Sequence, residues 1–222
     1  PTDREYVTQD QVRLDIGTQI SKVYSLKHYQ ADSAATPLIE TGQFPRKIVT
    51  DVVPPMILYR GYPKTQDITT DYRLPAGAPV MSYVEPKPTL QWQVKPEKRE
   101  ILGHSCQRAE VSFGGRQWIA WFTSEIPLSE GPYKFGGLPG LILEVADSEG
   151  DYRYTCIGIA NLSAGENIVR WKWNQRPTTR KELEKIIVQL YANPEQAIKA
   201  LGGRMGFKGD PMLNLPYNPI EK

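Results

Sequence analysis

A proline that follows a leucine and precedes a glycine continues neither a helix nor a strand ladder, and Leu138-Pro139-Gly140-Leu141 sets such a break inside this chain. The proline pushes Leu138 toward extended geometry. Pro139 presets the first central position of a tight turn and Gly140 accepts positive φ at the second, so the four residues predict a type II turn. Gly136 and Gly137, just upstream, add a point where strained dihedrals or a close backbone approach are tolerated. Leu141-Ile142-Leu143-Glu144-Val145 then reads as a short buried strand. A loop that cradles phosphate feeds a helix and carries a Lys-Ser/Thr pair. Here a strand follows and the pair is missing. The turn therefore clamps a strand, with ligand contact through the backbone of Gly136, Gly137 and Gly140 as the alternative.

Around this break the pattern is that of a β-meander. Leu90–Val94 is β-prone and Pro96-Glu97-Lys98-Arg99 reads as a charged turn. His104–Phe113 forms a strand, Gly114-Gly115 is a hairpin signal, and Arg116–Thr123 returns. Trp118, Ala120 and Phe122 share one face of that strand and Ile119 and Trp121 the other, which predicts a central strand covered on both sides. Ser148-Glu149-Gly150-Asp151 turns the chain into Tyr152–Ile159, and a turn near Ala164-Gly165 leads to Ile168–Trp173. Before residue 90, Val23–Leu26, Lys47–Val53, Met56–Tyr59 and Ile68–Tyr72 are candidate strands. Pro54-Pro55 and Tyr62-Pro63 stop two of them, and Glu85-Pro86-Lys87-Pro88 marks a joint too short for an interdomain linker.

One helix is legible. Thr179 with Glu182 three residues on makes a capping box. Leu183, Ile186, Ile187, Leu190 and Tyr191 recur at helical spacing, with Lys181, Glu184, Lys185 and Gln189 opposite. Asn193-Pro194 breaks it, and a short second helix runs from Glu195 to Leu201 before Gly202-Gly203. Strands at short intervals with an amphipathic helix behind them predict an α+β fold, mainly antiparallel β: a curved, half-barrel-like sheet packed against one C-terminal helix. The chain reads as a single domain over 1–222. Within it lie a proline-rich β region (1–90), a meander with the turn (91–175), a helix (178–201) and a tail (202–222).

Composition narrows the functions. A net charge of +2 over 222 residues with interspersed signs gives no basic stripe for nucleic acid. No apolar run approaches the length of a membrane span. The start at Pro1-Thr2-Asp3 fits a mature or trimmed product, with no signal peptide in view. Two cysteines, Cys106 and Cys156, are too few for a disulfide framework. They would form one bridge if their strands were neighbours, and are otherwise buried thiols.

Beyond Gly137–Ile142, several stretches carry a family pattern. They are Asp15-Ile16-Gly17 with Ser21–Ser25, Trp92, Ile101–Ala109, and Gly115-Arg116 through Ala120–Pro127 into Gly131-Pro132. Together they resemble the GLPGLI family of exported bacterial proteins, most strongly over Trp92–Val145. The resemblance implies a periplasmic or secreted place in a Gram-negative envelope. It names no reaction. After Gly103, where the family pattern has tyrosine, this chain has His104.

Chemistry has few candidates. The only histidines are His28 and His104. His104 and Cys106 fall on one strand face, as an activated thiol or half a metal site would require, yet no recognised ligand spacing joins the histidines and cysteines. No metal site or cofactor is therefore expected. No nucleophile elbow, His-Glu-x-x-His or Walker sequence occurs. Glu125 is the least explained carboxylate, and with Glu144 it is the candidate acid/base pair of a carboxylate-dependent hydrolase acting on glycan or a similar substrate. Trp171 and Trp173 share a strand face, suited to stacking on a sugar or lining an apolar groove, with core packing as the plainer reading. The sequence favours a non-enzymatic envelope protein that binds an apolar small molecule, a lipid or an envelope partner in a curved-sheet groove. The hydrolase is the alternative.

Overall fold

The computed structural model describes residues 7–40, 55–74, 79–161, 167–201 and 217–222. The candidate strand Lys47–Val53, the turn at Ala164-Gly165 and the stop at Gly202-Gly203 lie outside the described residues. The fold is α+β and mainly antiparallel, and among the described residues its strands divide between two sheets, neither of which closes into a barrel. The sequence reads as one domain; the backbone groups into two compact units. Unit one takes Pro1–Asp15, Gln19–Pro86 and Val169–Tyr217, and unit two takes Ile16–Thr18, Lys87–Ile168 and Asn218–Lys222. The proline-marked joint at Glu85–Pro88 contains one of these boundaries.

Unit one holds strands β1 (Val12–Ile16, whose last residue groups with unit two), β2 (Ser21–Ser25), β3 (Met56–Arg60), β4 (Asp67–Tyr72), β5 (Val80–Pro86) and β11 (Gln175–Pro177). They lie side by side in the order β1-β2-β3-β4-β5-β11. The strands β2 to β5 pair antiparallel, and β11 joins β5 in parallel. Helix α2 (Arg180–Ala192) has the expected capping box: Thr179 accepts from the Glu182 N–H, and the Glu182 side chain accepts from the Thr179 N–H. Its Leu183, Ile187 and Leu190 bury against Tyr72, Leu74, Met81 and Tyr83, with Ala197 of α3 (Pro194–Ala200) in the same cluster. The helix covers a sheet face, as its stripe predicts. That face belongs to the β3–β5 region rather than to the meander.

Three departures in unit one have physical causes. Helix α1 (Leu26–Glu40) follows β2 directly, and its sequence carries no clean apolar stripe to announce it. Strand β5 runs into Glu85–Pro88, which reads in the sequence as a joint, and its strand character comes from pairing with β4. Ile168–Trp173 is irregular rather than a strand. Alternation alone supplies no partner, and the edge of β5 is taken by β11 just beyond, with Val80 N–H donating to Asn174 O at 3.1 Å and Thr178 N–H to Ser82 O at 2.9 Å.

Unit two is a five-stranded antiparallel sheet. Its strands are β6 (Gln93–Ile101), β7 (His104–Phe113), β8 (Arg116–Thr123), β9 (Leu141–Asp147) and β10 (Arg153–Thr155), in the order β10-β9-β8-β7-β6. Phe113 pairs with Arg116 across the Gly114-Gly115 loop, whose φ values of +57° and +72° are those of a type I′ turn. The charged stretch Pro96–Arg99 is not a turn: β6 runs through it, with a register shift between Val94 and Lys98. Proline fits there because β6 is an edge strand and the bulge needs no N–H from it. The turn comes instead at Leu102-Gly103. Tyr152–Ile159 shortens to β10, whose last neighbour Cys156 donates its N–H to Leu143 O at 2.7 Å. Strand β8 is central, with Trp118, Ala120 and Phe122 buried. On its other face Ile119 and Trp121 are half-buried, and the Arg99 guanidinium lies 4.2 Å from the Trp121 ring.

Candidate functional site

Loop 124–140 builds its own scaffold. Trp92 Nε1 donates to Gly136 O at 2.8 Å, Gly137 N–H to Ser129 O at 3.3 Å, and Ser129 Oγ to Leu138 O at 2.8 Å. Gly140 N–H donates to Leu138 O at 2.8 Å, closing a three-residue turn on Pro139, and Leu141 N–H goes to Ile126 O at 3.0 Å. The bond pattern is that of an inverse γ-turn, not the predicted type II turn, because Ile126 captures the amide that would close the larger ring. Phe135 and Leu138 are fully buried, and the Phe135 ring lies 4.6 Å from that of Trp118. Gly136 and Gly140 are buried and Gly137 is exposed. The backbone groups offered to a ligand at Gly136, Gly137 and Gly140 thus already serve the loop. The turn then launches β9, whose Leu141, Ile142 and Leu143 are buried.

The carboxylates part company. Glu125 Oε2 lies 2.7 Å from His104 Nδ1, and its Oε1 accepts the Ser105 N–H at 3.0 Å. The bond to His104, then that to Ser105, holds the Glu125 carboxyl below the usual carboxylate range. It is ionised at neutral pH and cannot donate a proton. Glu144 faces Arg99 instead, Nη2 to Oε1 at 2.8 Å. Its partner is a cation and not Glu125.

Cys106 is fully buried, and burial pushes its thiol pKa up. It donates to His104 O at 3.5 Å, leaving the imidazole to Glu125. That is the environment of an inert thiol. Cys106 sits on β7 and Cys156 follows β10, with β8 and β9 between them in the sheet, so the neighbouring strands a bridge would need are absent and both are free thiols. Thiol titration of the unfolded, unreduced chain should count two thiols; a count of zero contradicts this arrangement.

Oxygens of Asp147, Glu149 and Asp151 lie within 4.8 Å of one another, the spacing of a cation site. The cation is Arg116, whose side chain is 1% exposed. Its Nη1 reaches Asp147 at 2.7 Å, Asp151 at 2.8 Å and Glu149 at 3.4 Å. Asp147 also supports the turn at Ser148–Asp151, its Oδ1 accepting the Tyr152 N–H at 2.9 Å. Arg116 was hidden because nothing distinguishes the first residue of a returning strand from any other.

Unit one contains a different constellation. Trp171 and Trp173 are half-buried and meet edge-on at 4.9 Å. Trp171 contacts Tyr29 of α1 at 5.5 Å, and Tyr29 contacts Tyr24 of β2 at 5.0 Å. Lys22 lies among them, its Nζ 4.6 Å from the Tyr24 ring, 5.3 Å from Tyr29, 5.6 Å from Tyr59 and 6.0 Å from Trp171. The ammonium donates to Val169 O at 3.3 Å and, among the described residues, has no carboxylate in ion-pair contact. Burial lowers its pKa, against an opposing pull from Asp15. Nearby, Arg170 grips the buried Asp71 through two bonds of 2.9 and 2.6 Å, and the Arg73 guanidinium lies 5.5 Å from the Trp173 ring. Sequence reading pairs the two tryptophans but misses Lys22, Tyr24 and Tyr29, which come to them through β2 and α1.

A family model described as a protein of unknown function (Porph_ging) matches residues 114–144, from the Gly-Gly hairpin through the Pro-Gly turn into β9. No curated protein matches the chain. Among solved structures, that of PNGF-II in the P21 space group superimposes with a TM-score of 0.52 at 12% identity, covering 81% of this chain and 30% of that one. The same protein in the C2 space group gives 0.50 at 12% identity, covering 80% of this chain and 29% of the other. The chain thus spans about 30% of the length of the solved chain it matches. At this identity the likeness shows the fold alone, over parts of both units, while the sequence match is to a family of unknown function.

Proposed function

We propose that this chain is a non-enzymatic, GLPGLI-type protein of the bacterial envelope, periplasmic or secreted, that holds an amphiphilic small molecule against the ring cluster of unit one. The observation that carries this is the run of partly exposed rings Tyr29, Trp171 and Trp173 beside the Lys22 ammonium. Rings offer an apolar face, and the Lys22 ammonium, which among the described residues forms no close ion pair, favours an anionic head. The hydrolase reading has less support, because Glu125 and Glu144 have separate partners and Glu125 is held ionised. A general acid must keep its proton at working pH.

Titration with palmitate, followed by tryptophan fluorescence, tests the reading. Saturable quenching is expected. Trp171→Ala should weaken binding about tenfold or more, which corresponds to about 1.4 kcal/mol. Lys22→Met should weaken palmitate while sparing an uncharged alcohol of the same length. Quenching by neither ligand would sink the proposal.

A further inference from the structure

The segment Asn218–Lys222 is seated in unit two by a set of polar contacts unlike ordinary surface packing. Arg116 Nη2 donates to Asn218 Oδ1 at 2.6 Å and to Pro219 O at 3.0 Å. The Tyr152 hydroxyl donates to Asn218 O, and the Tyr133 hydroxyl to Glu221 Oε1. Lys134 Nζ reaches the same Glu221 oxygen at 2.6 Å, with the side chains 2% and 6% exposed. Lys222 N–H donates to Gly114 O at 2.7 Å, and its Nζ meets Glu149 at 2.7 Å.

The receiving surface is shaped for this occupant. A Cβ on Gly114 would lie 2.7 Å from Glu221 Cγ, and one on Gly115 would lie 2.9 Å from Lys222 Cβ. The hairpin glycines therefore do more than take positive φ: they leave the room in which the segment lies. Lys134 is buried, and Glu221 of the segment brings a carboxylate to it, the kind of charge pairing a buried cation requires. The sheet itself is complete without the segment, which enters none of its ladders. Among the described residues, the side chains that Arg116, Tyr133, Lys134 and Tyr152 bring to the segment come from one stretch, 114–152, whereas the occupant comes from far along the chain.

We propose that this cleft is a peptide-recognition site, filled in cis by Asn218–Lys222. In trans it would take a polypeptide segment with the same chemistry: an amide side chain, a proline after it, and a carboxylate three positions on. Each element has its reader. Arg116 reads the amide oxygen and the proline carbonyl, Tyr152 the first backbone carbonyl, and Tyr133 with Lys134 the carboxylate. A tethered occupant competes at an effective concentration on the order of mM, so a trans segment gains access chiefly when the cis one is weakened.

The test uses the full chain carrying Asn218→Ala and Glu221→Ala, titrated with a fluorescein-labelled peptide Asn-Pro-Ile-Glu-Lys and read by polarisation. Saturable binding is expected, at least about tenfold weaker in the unaltered chain, where the cis segment competes. The peptide with glutamine in place of glutamate should lose about tenfold or more. No saturable binding to the double variant, or equal binding of the two peptides, overturns the proposal. Circular dichroism checks that the variant is folded. If it is not, the unaltered chain decides: excess glutamate peptide must shift the Gly114 and Gly115 amide resonances, and the proposal fails if they stay fixed.

Discussion

Replacing Gly140 with alanine should lower the stability of the fold by about 3 kcal/mol or more, at the upper end of overpacking changes. The added Cβ would stand 2.0 Å from Thr123 O and 2.6 Å from Thr123 C, both backbone atoms of the central strand. Backbone cannot swing aside as a side chain does, so either β8 shifts or the loop lifts off it. The φ of +157° adds a smaller penalty. Gly137 is the control. Its φ is +88°, but a Cβ there would meet only Trp92 Nε1, at 4.0 Å. Gly137→Ala should therefore cost only about 1 kcal/mol, the conformational part alone. Urea melts of the two variants measure the contrast, and equal losses would remove close approach as the reason for the second glycine.

Arg116→Met should cost about 3–5 kcal/mol, the range for removing one partner of a buried ionic network. Methionine fills much of the volume but leaves Asp147, whose side chain is 0% exposed, without its cation. The acid limb gives a second readout. Asp151 is held below the ordinary carboxylate range, first by Asn218 and then by Arg116. A depressed carboxylate contributes stability that is present above its unfolded value and lost as pH falls through its folded one. The difference between parent and variant should therefore shrink on acidification through that window. A loss independent of pH would mean that Arg116 acts through packing rather than charge.

Local chemistry made the meander legible and left the rest obscure. Strands β7 and β8, the Gly114-Gly115 turn and the capping box of α2 were readable because each is specified by residues adjacent in sequence. Pro96 misled, since a proline reads as a stop unless the strand is known to be an edge with a bulge. Helix α1 and strand β5 are defined by the neighbours they pack or pair with, and no window of their own sequence shows this. The same division holds for the sites. Trp171 and Trp173 are two residues apart and could be paired on sight. Lys22 joins them across 147 residues at Val169, and Arg116 meets Asn218 across 102. No spacing rule predicts such meetings.

On the proposed function, the Pro-Gly motif is scaffold and the ring cluster is the binding surface. Parallel palmitate titrations of Gly137→Ala and Trp171→Ala, followed by tryptophan fluorescence, separate the two most directly. Gly137→Ala, which alters the exposed part of the motif, should keep the parent affinity while Trp171→Ala loses about tenfold or more. Lost binding in Gly137→Ala with full binding in Trp171→Ala would contradict it and return the ligand to the motif.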